Sequence, residues 1–254
     1  MSSGHPDEST VTDYRTLRVW EAIAEYAGTR GAALSVGTVT AACADRAAMS
    51  GAWVTRGPLS AGPAFASDPV AERVADLQFL LGEGPAVDAL RDGSPVVAAD
   101  LDAVSSRRAW PVFAPAGLTT GARSVLAVPM LAGTSRIGLF GLFSFEPTEP
   151  AAEQLAEVVT FAEVAVGLIL NRIRHVPRDV DRWLSDGRAV HRAEVHQATG
   201  IVAAQLGIGV TESLARLRAH AYAQGKPLIE IARQVVTQRL RLSTDTPKRF
   251  IPRP

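Results

Sequence analysis

The sequence predicts an α+β domain followed by a separate all-helical module. Three observations lead there. Helix and strand patterns alternate through the first part of the chain, and no strand pattern occurs beyond residue 174. Val176-Pro177 interrupts a long helical stretch at that point, where a proline cannot continue the hydrogen-bond ladder. Charge divides there as well. Residues 1–175 hold 13 Arg and no Lys against 19 Asp and Glu (13 − 19 = −6), whereas residues 176–254 hold 13 Arg and Lys against 7 acids (13 − 7 = +6). A basic module behind an acidic domain suits a polyanionic partner.

Composition sets the outer bounds. With 47% hydrophobic and 20% charged residues, the chain can bury a core. No run approaches the roughly 18 apolar residues of a spanning helix. The opening MSSGHPDESTVTD lacks the basic start and apolar stretch of a signal peptide. Residues 1–12 are expected to form a disordered leader. The single cysteine, Cys43, excludes an intrachain disulfide and any all-cysteine metal or iron–sulfur site. The expectation is a cytoplasmic protein without membrane contact.

A first helix is predicted over residues 12–30, where Leu17, Trp20, Ile23, Ala24 and Ala27 recur at helical steps before Gly28 and Gly31. A second follows Ser35. GAWVTR (51–56) reads as a strand, with a turn at Gly57-Pro58. Asp68 caps and Pro69 opens a third helix, with Val70, Val74, Leu77 and Leu81 along one face. It stops in Gly82-Glu83-Gly84-Pro85. Strands follow at 95–100, 124–131 and 136–146; in the last, Ile137, Leu139, Gly141, Phe143 and Phe145 alternate onto one face. The last two strands make a hairpin, in which Pro129 prefers an edge or bulge. From 150 to 174 Leu155, Val158, Val159, Ala162, Val166, Ile169, Leu170 and Ile173 make an apolar stripe wider than one face. Such a helix can pack on its own sheet and still offer a seam to a second copy, so a homodimer is expected.

Three helices are predicted beyond the break, over about 178–206, from Thr211 as N-cap, and from near Pro227. Trp183, Leu184, Val190, Val195, Ala198, Ile201, Val202 and Leu206 are candidate core positions of the first. Leu214, Leu217, Ala221 and Tyr222 point inward from the second, and Leu228, Ile231, Ala232, Val235 and Val236 from the third. Gly200 stands in mid-helix, where it costs about 1 kcal/mol relative to Ala; a helix keeps it for close packing or for a ligand. Arg216 and Arg218 cannot both face this core, and Arg218, with Lys226 near it, is the one expected to meet phosphate. His191 and His196 lie five apart, on different faces, and are read as surface residues. The predicted division is 13–175 for the first domain, 178–242 for the module and 243–254 for a flexible tail.

HQATGIVAAQLG, TESLARLRAHA and KPLIEIARQVV, in this order and spacing, resemble the ANTAR family of RNA-binding antitermination modules, most specifically at Ala198-Thr199-Gly200 and Leu217-Arg218. The resemblance implies RNA hairpins, as paired stem-loops, for partner. Ala198, Thr199, Gly200, Gln205, Arg216, Arg218 and Lys226 are the candidate RNA-contacting residues.

LQFLLGEGPAVDALRDGSPVVAADL, RRAWPVFAPAGLTTGARSVLAVPML and RIGLFGLFSF resemble a GAF domain of the type fused to ANTAR modules. That implies an antiparallel sheet flanked by helices, a small-molecule pocket on one face, and dimerisation through terminal helices. The effector itself is not identified. No His occurs between His5 and His175, which disfavours His-ligated haem, and the first Lys is Lys226, which excludes the Lys-containing ion pair of cyclic-nucleotide GAF domains. No cofactor is expected. Trp110, Phe113 and Phe143 line a pocket or fill the core, the core being favoured. Cys43 reads as a buried inert thiol rather than a sensor.

No P-loop, dinucleotide fingerprint, GxSxG or HExxH is present, so the chain is not expected to be an enzyme. Two alternatives stand beside an RNA-binding regulator gated by a sensor. One is a DNA-binding helix-turn-helix regulator, although Ile229, Ile231, Val235 and Val236 make LIEIARQVV too apolar to read base edges. The other is a protein–protein signalling module.

Overall fold

The computed structural model describes residues 8–57, 63–175 and 187–242, with side chains described within 14–57, 63–171, 194–195 and 197–242. The chain forms two compact units, divided at Asp179/Val180. The expected tail at 243–254, the core positions Trp183 and Leu184, and the side chains of Ile173, Val190, His191 and His196 lie outside the described residues.

The first unit is built on a five-stranded antiparallel sheet in the order β2-β1-β5-β4-β3. Its strands are β1 (Gly51–Arg56), β2 (Phe65–Ala66), β3 (Val96–Ala98), β4 (Ser124–Ala132) and β5 (Ser135–Ser144). Pro129 pairs with Leu139 of β5, while β3 reaches β4 only at Val125–Ala127, so no strand needs the N–H that proline lacks. A register shift follows between Met130 and Leu131. The expected alternation of β5 holds at Leu139, Gly141 and Phe143, whereas Ile137 packs with the opposite face and Phe145 lies beyond the strand, 48% exposed; both faces of the strand are buried. Phe140 and Leu142 join Ala52, Val54, Leu126 and Val128 on one side; Leu139 and Phe143 join Trp53, Val125 and Ala127 on the other.

The first face is covered by α1 (Glu8–Arg30), α2 (Val36–Arg46) and α7 (Ala152–His175). Helix α1 starts at Glu8, inside the segment expected to be a disordered leader. Its buried residues are Val19 and Ile23, so of the expected stripe Ile23 goes fully inward while Leu17, Trp20 and Ala24 do not. Leu17 is 56% and Trp20 40% exposed, together with Tyr14. Ser35 caps α2 by accepting the N–H of Thr38 (3.1 Å). Cys43 lies fully buried on α2, and burial, reinforced by the charge of Glu157, pushes its thiol pKa well up. Helix α7 spends Val158, Phe161, Ala162, Ala165, Val166 and Ile169 on this core.

The second face is covered by α3 (Pro69–Leu81), α4 (Pro85–Asp92) and α6 (Phe113–Leu118), and α5 (Val104–Ala109) packs against α6. Asp68 caps α3 as expected, accepting the N–H groups of Val70 (2.8 Å) and Ala71 (3.0 Å). The buried face of α3 is Ala71, Val74, Ala75 and Gln78, rotated from the predicted one, and Val70, Leu77 and Leu81 are only half-buried. Helices α4, α5 and α6 and strand β2 had no counterpart in the sequence expectations.

A polar network explains the turn at 82–85. Gln78 Oε1 accepts the N–H of Ala86 (2.7 Å), at the start of α4. Gly84 has φ +129°, and a Cβ there would lie 2.7 Å from Gln78 Cγ. Glu83 turns outward and accepts two N–H groups at the start of α6, from Val112 (2.8 Å) and Phe113 (2.9 Å). Asp88 accepts from Trp110 Nε1 (2.8 Å). The two motifs, Gly82–Pro85 and Trp110-Pro111, are therefore one interlocked unit. Glu83→Ala should strand two helix-start donors and lower stability by about 1–2 kcal/mol, measured by urea unfolding. An unchanged midpoint would show that water replaces the carboxylate at no cost.

Candidate RNA-binding surface

The second unit contains α8 (Gly187–Leu206), α9 (Val210–Ala223) and α10 (Leu228–Val236). Helix α8 ends at Gly207, in the left-handed conformation (φ +64°), with Ile208 N–H bonded to Ala203 O (3.2 Å). Helix α9 then starts at Val210 with Gly209 as N-cap, not at Thr211. The segments Gln197–Leu206 and Val210–Ala223 meet at 105°, and no single helix among the described residues is long and apolar enough to cross a membrane.

Val195, Ala198 and Val202 of α8 meet Leu214, Leu217 and Ala221 of α9 and Leu228, Ile231, Ala232 and Val235 of α10. Tyr222 does not point inward as expected; it is 63% exposed. Val236, Ile201 and Leu206 are half-buried.

The seven candidate residues do not form one exposed patch. Ala198 is fully buried and Thr199 is 3% exposed. The Thr199 hydroxyl donates to Val195 O (2.7 Å), one turn back along α8. Its carbonyl receives the hydroxyl of Ser213 (2.6 Å), which is fully buried on α9. The Thr–Gly pair thus places its threonine inside the module and its glycine outside. Gly200 is exposed, and among the described residues no atom lies within 4 Å of where its Cβ would be. Among the described residues no helix packs closely against this glycine. It shares an exposed strip with Gln197 and Ala204, one helical turn on either side. Gln205 is exposed too, but about 140° around the helix from Gly200.

The cations are engaged. Arg216 pairs with Glu212 (2.8 Å) and Lys226 with Glu230 (2.9 Å), both at i,i+4 spacing. Arg218 is the more sheltered arginine of its pair, opposite to expectation: desolvation by burial pushes its pKa down from 12.5 to about 10. It remains charged at neutral pH. Arg233 bonds Glu194 (2.8 Å), joining α10 to α8. Sequence reasoning passed over Ser213 and Arg233; the position of Ser213 one turn into α9 was the only available sign of its role.

Trp110, Phe113 and Phe143, the tentative pocket residues of the first unit, are buried in the packed second-face core. Phe143 meets Phe145 edge to face, with centroids 5.3 Å apart. Among the described residues no group of three His, Cys, Asp or Glu is placed to hold a metal ion.

An antiparallel sheet enclosed by helices on both faces, followed by a small helical module, gives the chain two parts. The chain belongs to the GAF domain family, which matches residues 15–169, and carries an ANTAR domain at residues 187–236. The GAF domain of an Acinetobacter phosphoenolpyruvate-protein phosphotransferase is similar at 13% identity and a TM-score of 0.45, covering 70% of this chain and 100% of that one. The corresponding domain from Coxiella burnetii gives 12% and 0.41, over 63% and 96%. A bacteriophytochrome from R. palustris gives 14% and 0.47, over 84% and 47%. No curated protein matches the chain.

Ser213→Ala should lower the stability of the module by about 1–2 kcal/mol, the cost of leaving a buried carbonyl with one bond fewer and a small void. Chemical denaturation followed by circular dichroism measures it. No loss would mean that the Ser213–Thr199 bond does not hold the two helices together.

Proposed function

We propose that this protein is a cytoplasmic, signal-responsive homodimer that binds paired RNA hairpins through its ANTAR domain and so favours transcription through a terminator. A small-molecule effector in the GAF domain gates it. The observation that carries the RNA reading is Gly200. A helix accepts the cost of a mid-helix glycine for close approach, and here the approach is from outside. The surrounding strip of Gln197 and Ala204 leaves backbone accessible to a loop or phosphodiester chain. Ala198 and Thr199 act from beneath by fixing the backbone that presents Gly200. Gln205, Arg216, Arg218 and Lys226 supply further contacts. The ion pairs of Arg216 and Lys226 are no obstacle, since an exposed i,i+4 pair is worth about 0.3–0.5 kcal/mol and phosphate can replace the carboxylate.

Two substitutions separate fold from contact. Gly200→Ala should stabilise the module by about 0.5–1 kcal/mol, because the site is open and alanine is the better helix former. Gly200→Glu should fold equally well and weaken hairpin binding by about 1–3 kcal/mol in a salt-dependent gel shift. Undiminished binding by Gly200→Glu, or equal binding of duplex DNA, would overturn the reading.

Dimerisation rests on a different surface from the one the sequence suggested. Val166 and Ile169 are 7% and 6% exposed inside the monomer core, so Glu at either would unfold the domain rather than separate subunits. Among the described residues, Tyr14, Leu17 and Trp20 form an exposed apolar face on α1. Leu17→Glu with Trp20→Glu should yield a folded monomer by light scattering and abolish the preference for paired over single hairpins. A wild-type monomer at micromolar concentration would refute the dimer.

A further inference from the structure

Among the described residues of the second unit, Tyr222 is the most exposed large apolar side chain, at 63%. It stands on α9, whose buried residues Ser213, Leu214, Leu217 and Ala221 occupy one side of the helix. At about 100° per residue, Tyr222 falls on the other side, together with Ala215 and Ala219. A helical side chain leans back over the preceding turn, which for Tyr222 contains Arg218 and Ala219. Ala215, Ala219 and Ala223 are all exposed, so one border of the ring consists of methyl groups. Among the described residues its side chain makes no hydrogen bond or ring contact. The core of the module is therefore complete without this ring.

The surroundings are positive. Between Val210 and Pro227 the chain carries Arg216, Arg218 and Lys226 against one acid, Glu212, and no acid occurs from Ser213 to Ile229. Glu212 pairs with Arg216 (2.8 Å), and Glu230 with Lys226 (2.9 Å). Arg218 stands one turn before Tyr222, and Lys226 four residues after it. Burial lowers the Arg218 pKa only to about 10, so its charge is present at neutral pH. An accessible aromatic face with cations before and after it suits a nucleic-acid strand whose base is out of its helix. The ring takes the face of the base, and the cations meet the backbone on either side. An apolar protein surface would also cover the ring but would leave these cations facing it, so the charge favours RNA.

We propose that Tyr222 is a stacking platform for one unpaired base of the bound RNA, with Arg218 and Lys226 beside the adjoining phosphates. This rests on the RNA reading above and deepens it, because it assigns the contact to the loop of the hairpin rather than to its stem. Every base has a π-face, so the platform selects an unpaired base with little regard to its identity.

The test uses the full chain and a pool of RNA stem-loops with randomised loops, in which 5-iodouridine replaces uridine. This base forms a photochemical crosslink to an aromatic ring stacked on it. Stem-loops retained by the wild-type chain should crosslink from a loop position to the peptide that carries Tyr222, as read by mass spectrometry. Tyr222→Ala should lose that crosslink and bind the retained stem-loops about tenfold more weakly, with unchanged circular dichroism. Its salt dependence should stay as in the wild type, since stacking releases no counterions. Tyr222→Phe should keep the affinity, whereas Tyr222→Leu, apolar but not aromatic, should not. Equal affinity of Tyr222→Ala and wild type overturns the platform alone and is the result expected if the ring serves a protein partner. Full affinity of Tyr222→Leu, or weaker binding by Tyr222→Ala without a loop crosslink in the wild type, overturns it as well. A wild-type chain that retains no stem-loop overturns the RNA reading and the platform together.

Discussion

The central hairpin of β4 and β5 is apolar on both faces, and the arrangement of the first unit follows from the need to cover both. A sheet with one wet face can be closed by a single layer of helices; this one requires two. Phe140 and Leu142 demand α1, α2 and α7 on one side, while Leu139 and Phe143 demand α3, α4 and α6 on the other. Glycines make the fit possible. A Cβ on Gly141 would lie 2.2 Å from the indole of Trp53, and one on Gly138 would lie 2.1 Å from Thr55 O, so strand β1 and its tryptophan close directly onto β5. The consequence for function is a second face filled by its own aromatic side chains, with open space on the other face at the α1–α2 corner.

Burying polar groups in the second layer is costly unless each finds a partner, and the chain meets this with side chains far apart in sequence. Gln78 completes the start of α4, Glu83 completes the start of α6, and Asp88 holds the indole of Trp110. Arg123 closes the other end with a two-pronged pair to Asp100 (3.0 Å). These bonds fix short helices that their own sequences would not sustain, since α5 and α6 have six residues each.

The second unit faces a different constraint. A three-helix module this small has little apolar area with which to offset chain entropy, so a mid-helix glycine is a real fraction of its stability. The buried Thr199–Ser213 bond and the Glu194–Arg233 pair tie the helices together around that weak point.

How much of this could be read from the sequence depends on whether a signal is local. Asp68 and Ser35 announced their helices because capping is settled within four residues, and the β4–β5 hairpin was evident from period-two alternation. The charge division and the GAF and ANTAR motifs identified both domains. What the sequence left open was orientation and long-range partnership. Helix α1 carries apolar residues on two stripes, and only packing decided that Val19 and Ile23 go inward while Leu17 and Trp20 stay out. Thr199 and Gly200 are adjacent, yet 100° of helical turn puts one in the core and the other in solvent, and a neighbouring helix chose which. Local chemistry named the elements and the families; burial, which depends on every element at once, assigned the faces on which the candidate sites lie.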